Sequence, residues 1–164
     1  MKRVLVVVDM QEGATHSRYH RQYLNREWWK RHAKVVANIR KLAEKMEVIF
    51  QVHTGFRKKG HLNIISGLRD VASGKLVIYK NEDDGSSTLA VQLSRDVHIF
   101  ACGMNTDACV LKTVGGLKSL GFNVTVVGDA CWTAYASKSA HPHDNALRTI
   151  RRWGIPVINT KTVR

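Results

Sequence analysis

The sequence predicts a single α/β domain over residues 1–164, a three-layer, doubly wound, Rossmann-like fold around a mainly parallel sheet of six strands. Two observations carry this expectation. Short aliphatic runs without polar alternation recur along the chain, as in strands covered on both faces. Between them lie stretches with apolar residues at helical spacing, so strand and helix alternate. A third observation concerns chemistry. Asp, Lys and Cys side chains follow directly on several of these runs, at the carboxyl ends where such sheets hold ligands.

The first strand is Val4 to Val8, five aliphatic residues ending at Asp9. From about Leu24 to Met46, Trp28, Val35, Val36, Ile39, Leu42 and Ala43 recur at helical spacing, and the intervening Lys and Arg are expected to face solvent. Trp28 and Trp29 are neighbours about 100° apart on such a helix, so one is expected to pack on the sheet and the other to face outward. Further strands are Val48 to Val52, Leu76 to Tyr79, Val97 to Cys102, Val124 to Val127, and the short pair Val157-Ile158. Thr106 or Asp107 is placed to cap a helix running to Leu120 and stopping at Gly121. A last helix spans roughly His143 to Trp153 and ends at Gly154.

The composition is that of an ordinary globular chain: 44% hydrophobic, 24% charged, 12 Gly and 2 Pro. It excludes a disordered segment, a collagen-like repeat and a small disulfide scaffold. No apolar run approaches the roughly 20 residues that cross a bilayer, so no membrane association is expected. The basic start Met1-Lys2-Arg3 opens no signal peptide, because the apolar stretch ends at Asp9. Three Cys fit a reducing compartment, and the expected location is cytoplasmic.

The charge is unusual: 26 Lys and Arg against 13 Asp and Glu, a net +13. Residues 1–61 hold 14 basic and 5 acidic side chains, the remainder 12 and 8. Such a half attracts polyanions, nucleic acid included. A solvated helix face explains it more simply, so a nucleic-acid partner ranks second.

Cys109 falls in the first turn of the helix that follows the fourth strand. There the helix dipole and free N–H groups favour a thiolate, which predicts a lowered thiol pKa. The same N–H groups can hold an oxyanion. Position alone leaves two readings open, nucleophile or small core cysteine. Asp9 is placed to carry a proton if burial raises its pKa, and otherwise caps a turn. Lys80 is placed to hold a carboxylate, and otherwise lies on the surface. Three such groups past three strands form a nucleophile, a proton carrier and a cation.

The segments Val7-Val8-Asp9-Met10-Gln11, Lys80, and Gly103-Met104-Asn105-Thr106-Asp107-Ala108-Cys109-Val110 resemble the isochorismatase-like cysteine hydrolases, which include nicotinamidases, carbamoylsarcosine amidohydrolases and ureidoacrylate amidohydrolases. Gly121-Phe122-Asn123-Val124, Gly128-Asp129-Ala130-Cys131, His143 and Gly154-Ile155-Pro156-Val157 extend the likeness from Arg3 to about Thr160. The resemblance implies the isochorismatase-like hydrolase fold and an Asp9–Lys80–Cys109 triad. It implies a cis peptide at Met104–Asn105 and an oxyanion hole from the amides of Asn105 and Cys109. Gln11, His53, Ser86 and Cys131 are the substrate-pocket candidates. The implied activity is hydrolysis of a small amide, carbamoyl or ureido substrate through a thioester, by an enzyme that assembles as a homo-oligomer, dimer or tetramer.

Two departures bear on the substrate. Nicotinamidases carry an Asp-x-His pair after the second strand and a further His, binding a divalent metal. Here Gln51-Val52-His53 lacks that carboxylate, and His53 with His61 leaves a metal set one ligand short of the usual three. No cofactor is therefore expected, and His53 and His61 stand only as weak candidate ligands for a divalent metal. Where many relatives place an aromatic after the lysine, this chain has Asn81-Glu82-Asp83-Asp84-Gly85-Ser86, whose acidic residues are expected to form a solvated turn. Segments 12–23, 54–66 and 81–87 would shape the pocket. Two further readings stand beside amide hydrolysis: an isochorismatase-type vinyl ether hydrolase, which Cys109 counts against, and a basic module that binds a polyanion or protein partner.

Overall fold

The computed structural model describes residues 1–16, 25–55, 60–134 and 141–164. Six strands lie in one all-parallel sheet in the order β3-β2-β1-β4-β5-β6. They are β1 (Arg3–Val8), β2 (Glu47–His53), β3 (Leu76–Lys80), β4 (His98–Gly103), β5 (Asn123–Cys131) and β6 (Val157–Ile158). The order runs outward from β1 toward β3 on one side and from β4 toward β6 on the other. Its reversal point therefore lies between β1 and β4, and ligands of open α/β sheets bind outside the strand ends at that crevice.

The strands obey the burial their composition demands. All residues from Val4 to Val8 are buried, as are Val48 to Val52 and Ile99 to Gly103. Helix α1 (Glu12–His16) follows β1, and α2 (Arg26–Ala43) crosses to β2. Asn25 caps α2 by accepting the Trp28 N–H at 2.8 Å. Trp28, Val35, Ile39 and Leu42 of α2 are buried, whereas every Lys and Arg of that helix is exposed, the solvated face its periodicity predicts. Trp28 donates its indole N–H to the Thr133 carbonyl at 2.9 Å, and Trp29 is exposed and meets it edge-on.

The remaining helices are α3 (Arg69–Ala72), α4 (Ser86–Ala90), α5 (Leu111–Ser119) and α6 (Pro142–Arg152). Short α1, α3 and α4 are absent from the sequence reading, since four or five residues are too few to show a period. Strand β5 is longer than expected. Its pairing to β4 slips from Ala101↔Val126 to Gly103↔Cys131, and this bulge carries the strand on to Cys131.

Among the described residues no helix is long and apolar enough to cross a membrane. The sheet's crevice depends on one glycine. Gly103 has φ +116°, and a Cβ there would lie 2.1 Å from the Val8 carbonyl oxygen. Backbone cannot yield as a side chain can. Gly103→Ala is expected to cost about 2–4 kcal/mol, since left-handed strain and overpacking each cost roughly 1–3, read as a lower urea midpoint. An unchanged midpoint would refute the crowding.

Candidate active site

Four chain segments meet at the carboxyl ends of β1, β2, β3 and β4. Asp9 follows β1 directly, its N–H bonded to the Gln51 carbonyl at 2.8 Å and its φ at +49°, a left-handed conformation that aspartate tolerates. Lys80 closes β3, in register with His53 of β2. Both side chains are almost fully buried, and Lys80 Nζ donates to Asp9 Oδ2 at 2.8 Å. The ammonium's other contacts are the carbonyls of Glu82 at 3.0 Å and Asp83 at 3.2 Å. With its three protons so directed, Lys80 folds the following loop back over Asp9.

The segment after β4 carries a cis peptide at Met104–Asn105. The helix then opens differently from expectation. Asn105, not Thr106 or Asp107, stands at the cap position, and no side chain caps the turn. The first turn, Thr106–Val110, is a π-helical turn before α5. The would-be caps are otherwise engaged. Thr106 donates its N–H to the Trp132 carbonyl at 3.0 Å and lies 2.9 Å from His143 Nδ1, while Asn105 Oδ1 accepts the Ala134 N–H at 2.9 Å.

Cys109 is 7% exposed. Its thiol pKa is raised, not lowered as the helix-start argument expects: burial pushes it up most, the Asp9 charge adds to this, and Lys80 opposes. The half-charge of one helix terminus is outweighed by desolvation and a full carboxylate charge. Asp9 is likewise raised, by burial first, with Lys80 and Cys109 pulling it back. Its Oδ1 is buried with no hydrogen bond of good geometry among the described residues. A thiol and a carboxylate, each raised by burial, thus act on one another's charge at this point.

Asp83 is the residue that sequence reasoning assigned to solvent. Its Oδ1 accepts the Cys109 S–H at 3.5 Å and its Oδ2 accepts from Lys112 Nζ at 2.7 Å. The Lys112 bond holds its carboxyl below the usual carboxylate range. His53 Nε2 lies 3.9 Å from the same carboxylate. Burial and the Lys80 charge lower the His53 pKa, so the imidazole is neutral at pH 7. One signal was available in the sequence: Asp83 falls three residues past a lysine expected at a strand end.

The other pocket candidates have structural duties. Gln11 is fully buried and ties two loops together, donating to the carbonyls of His53 at 3.0 Å and His61 at 3.1 Å and accepting the His53 N–H at 2.8 Å. Ser86 packs its hydroxyl on Gly116, where an added Cβ would meet it at 2.2 Å, so its side chain belongs to the α4–α5 contact. Cys131 lies in the core beside the β4 terminus, its thiol pushed up to about 12 by burial. Cys102 is fully buried against the Val6 carbonyl. His53 and His61 meet through Gln11, and among the described residues no group of three His, Cys, Asp or Glu is placed to hold a metal ion. Arg57, Lys58 and Lys59, between His53 and His61 in the sequence, lie outside the described residues, as do parts of segments 12–23 and 54–66.

A six-stranded all-parallel sheet with helices packed on it places the chain in the α/β class, and Asp9, Lys80 and Cys109 meet beyond its strand ends. The isochorismatase domain model matches residues 3–162, and the chain belongs to the isochorismatase family, a family of hydrolases. Among solved structures it is similar to a cysteine hydrolase from Pseudomonas syringae pv. phaseolicola 1448A, with 21% identity, TM-score 0.78, and coverage of 99% of this chain and 90% of that one. It is also similar to an N-carbamoylsarcosine amidase from Thermoplasma acidophilum, with 20% identity, TM-score 0.72 and coverage of 98% and 97%. A third is the nicotinamidase PncA from Bacillus subtilis, with 17% identity, TM-score 0.75 and coverage of 97% and 100%. At these identities the likeness is one of fold. No curated protein matches the sequence.

Proposed function

We propose that the protein is a cysteine-dependent hydrolase of a small amide, carbamoyl or ureido substrate, with Cys109 as nucleophile, Asp9 as proton carrier and Lys80 as the cation that holds it. The observation that carries this is the buried Asp9 carboxylate, bonded to Lys80 at 2.8 Å and close enough to the Cys109 thiol to hydrogen-bond with it and to act on its charge. A raised carboxylate and a raised thiol share one proton. Its transfer from Sγ to Asp9 makes the thiolate when a carbonyl is in reach.

The thiolate attacks the carbonyl carbon, and the carbonyl electrons move to oxygen. The amides of Asn105 and Cys109 are the proposed donors to that oxyanion. Collapse breaks the C–N bond, with Asp9 returning the proton to the departing amine. Water then attacks the thioester and loses a proton to Asp9. The acid leaves and the thiol is restored. Asp9, not Asp83, is the base because its pKa is raised, whereas Lys112 depresses that of Asp83.

The test is a panel of small amides, ureas and carbamoyl compounds, followed by ammonia or amine release, with the acyl-enzyme trapped at acid pH for mass analysis. A Cys109-linked acyl adduct supports the reading. Turnover unaffected by alkylation of Cys109 sinks it. The pH profile follows from the two shifts. The productive state carries one proton on the Cys109–Asp9 pair, so kcat/KM should rise through a pKa above aspartate's ordinary 3.8 and fall only beyond the ordinary thiol value of 9.0. Both limbs belong to the coupled pair. An acid limb at or below the ordinary aspartate value would contradict the burial of Asp9.

A further inference from the structure

Two carboxylates flank the thiol, and they differ in burial. The Asp9 side chain is 3% exposed, while that of Asp83 is 40% exposed. Asp83 therefore faces both Cys109 Sγ and solvent. Because its Oδ1 is 3.5 Å from the sulfur, a charge within a few bonds of a group joined to that sulfur lies within short range of the Asp83 carboxylate. Other charged or titratable groups at this point are Lys80, whose protons are directed to Asp9 and two carbonyls, His53, which is neutral, and Lys112.

Lys112 is the counter-ion of Asp83, and it is a removable one. Its side chain is 57% exposed and reaches Asp83 at 2.7 Å from the first turn of α5. Pairs so open to water contribute little, because solvent competes for both charges. An incoming cation or N–H donor can take the place of Lys112 at small cost, whereas an incoming carboxylate meets a like charge. The loop cannot easily turn Asp83 away. Lys80 binds the Asp83 carbonyl, Thr113 Oγ1 accepts the Gly85 N–H at 3.0 Å, and the Gln51 amide donates to the Gly85 carbonyl at 2.8 Å.

We infer that Asp83 is a specificity-determining residue that selects substrates carrying a cationic or N–H donor group, such as ammonium, guanidinium or ureido nitrogen, next to the scissile carbonyl, and disfavours those carrying a carboxylate there. The substrate assignment rests on the reading of Cys109 as nucleophile; the charge selection at the thiol does not.

The experiment therefore uses thiol labelling, which needs no turnover. Cys109 attacks the sulfenyl sulfur of a methanethiosulfonate, forming a mixed disulfide and releasing methanesulfinate. Rates are measured for a trimethylammonium reagent, a sulfonate reagent and neutral methyl methanethiosulfonate, each relative to a free small thiol in the same buffer, with adducts located by mass. Cys102 and Cys131 are buried. The cation-to-anion rate ratio at Cys109 is expected to fall about tenfold in Asp83→Asn and to rise in Lys112→Met, both effects shrinking at high salt. The neutral reagent should label both variants, which verifies that the site is intact. An unchanged ratio in Asp83→Asn with normal neutral labelling overturns the inference. So does a wild-type Cys109 that none of the three reagents reaches. An absence of amide hydrolysis would count against the proposed activity alone and leave the labelling result standing.

Discussion

Cys109→Ala is expected to lower turnover of the preferred amide by about 10⁴–10⁶-fold, the range seen when a covalent nucleophile is removed from a unit that acts together. No other described group can replace it. Cys102 and Cys131 are in the core, and the Ser86 hydroxyl is packed on Gly116. The fold should tolerate the change. Removing one sulfur atom from a site 7% exposed costs about 1 kcal/mol, so the urea midpoint should move little. Cys109→Ser is a stricter probe, because it keeps the shape and a hydroxyl proton. A serine hydroxyl is far less acidic than a thiol, so Asp9 becomes too weak a base for it, and the serine protein is expected to be nearly as inactive as the alanine one. Turnover in either variant near the wild-type rate would remove Cys109 from the mechanism. Inactivity together with a large fall in midpoint would assign the loss to unfolding instead.

The second large effect is on stability, and its sign depends on pH. Lys80→Met keeps the length of the side chain but leaves the Asp9 charge buried without its cation. Breaking a buried pair in this way costs about 3–5 kcal/mol. Asp9 is already raised by burial and is held down chiefly by Lys80, so in the variant it must rise further. A carboxyl raised in the folded state favours folding while protonated and loses that contribution as pH climbs through its folded value. The deficit of Lys80→Met relative to wild type should therefore be smallest in acid, grow above the wild-type Asp9 value, and level off above that of the variant. Urea denaturation at pH 5 and pH 8 reads this directly. An equal deficit at both would show that Lys80 acts by packing and by holding the Glu82 and Asp83 carbonyls. Activity should fall as well, because a protonated Asp9 cannot accept the thiol proton.

The charge excess bears on neither prediction. The basic residues of α2 lie on its exposed face, and the two acidic groups at the thiol are each paired with a lysine, Lys80 and Lys112. Net charge is a statement about the surface. The chemistry at Cys109 is set by the few groups within hydrogen-bond reach.

What the sequence by itself determined follows from local regularity. An unbroken aliphatic run such as Val4 to Val8, short and rich in β-branched residues, reads as a strand covered on both faces, and alternation with amphipathic stretches predicts a parallel sheet. A parallel sheet then makes the residues after each strand, Asp9, Lys80 and the segment leading to Cys109, the ones to watch. The tertiary structure decided what local pattern does not encode. The cap of the helix at Thr106 was lost because Thr106 and Asn105 found partners at Trp132, His143 and Ala134, all distant in sequence. The direction of the Cys109 shift was reversed because a thiol's proton affinity sums the desolvation and charges around it, and here those include Asp9, a hundred positions away. Asp83 read as solvated because acidic turns usually are. Only the closure of the loop by Lys80 brings its carboxylate to the sulfur.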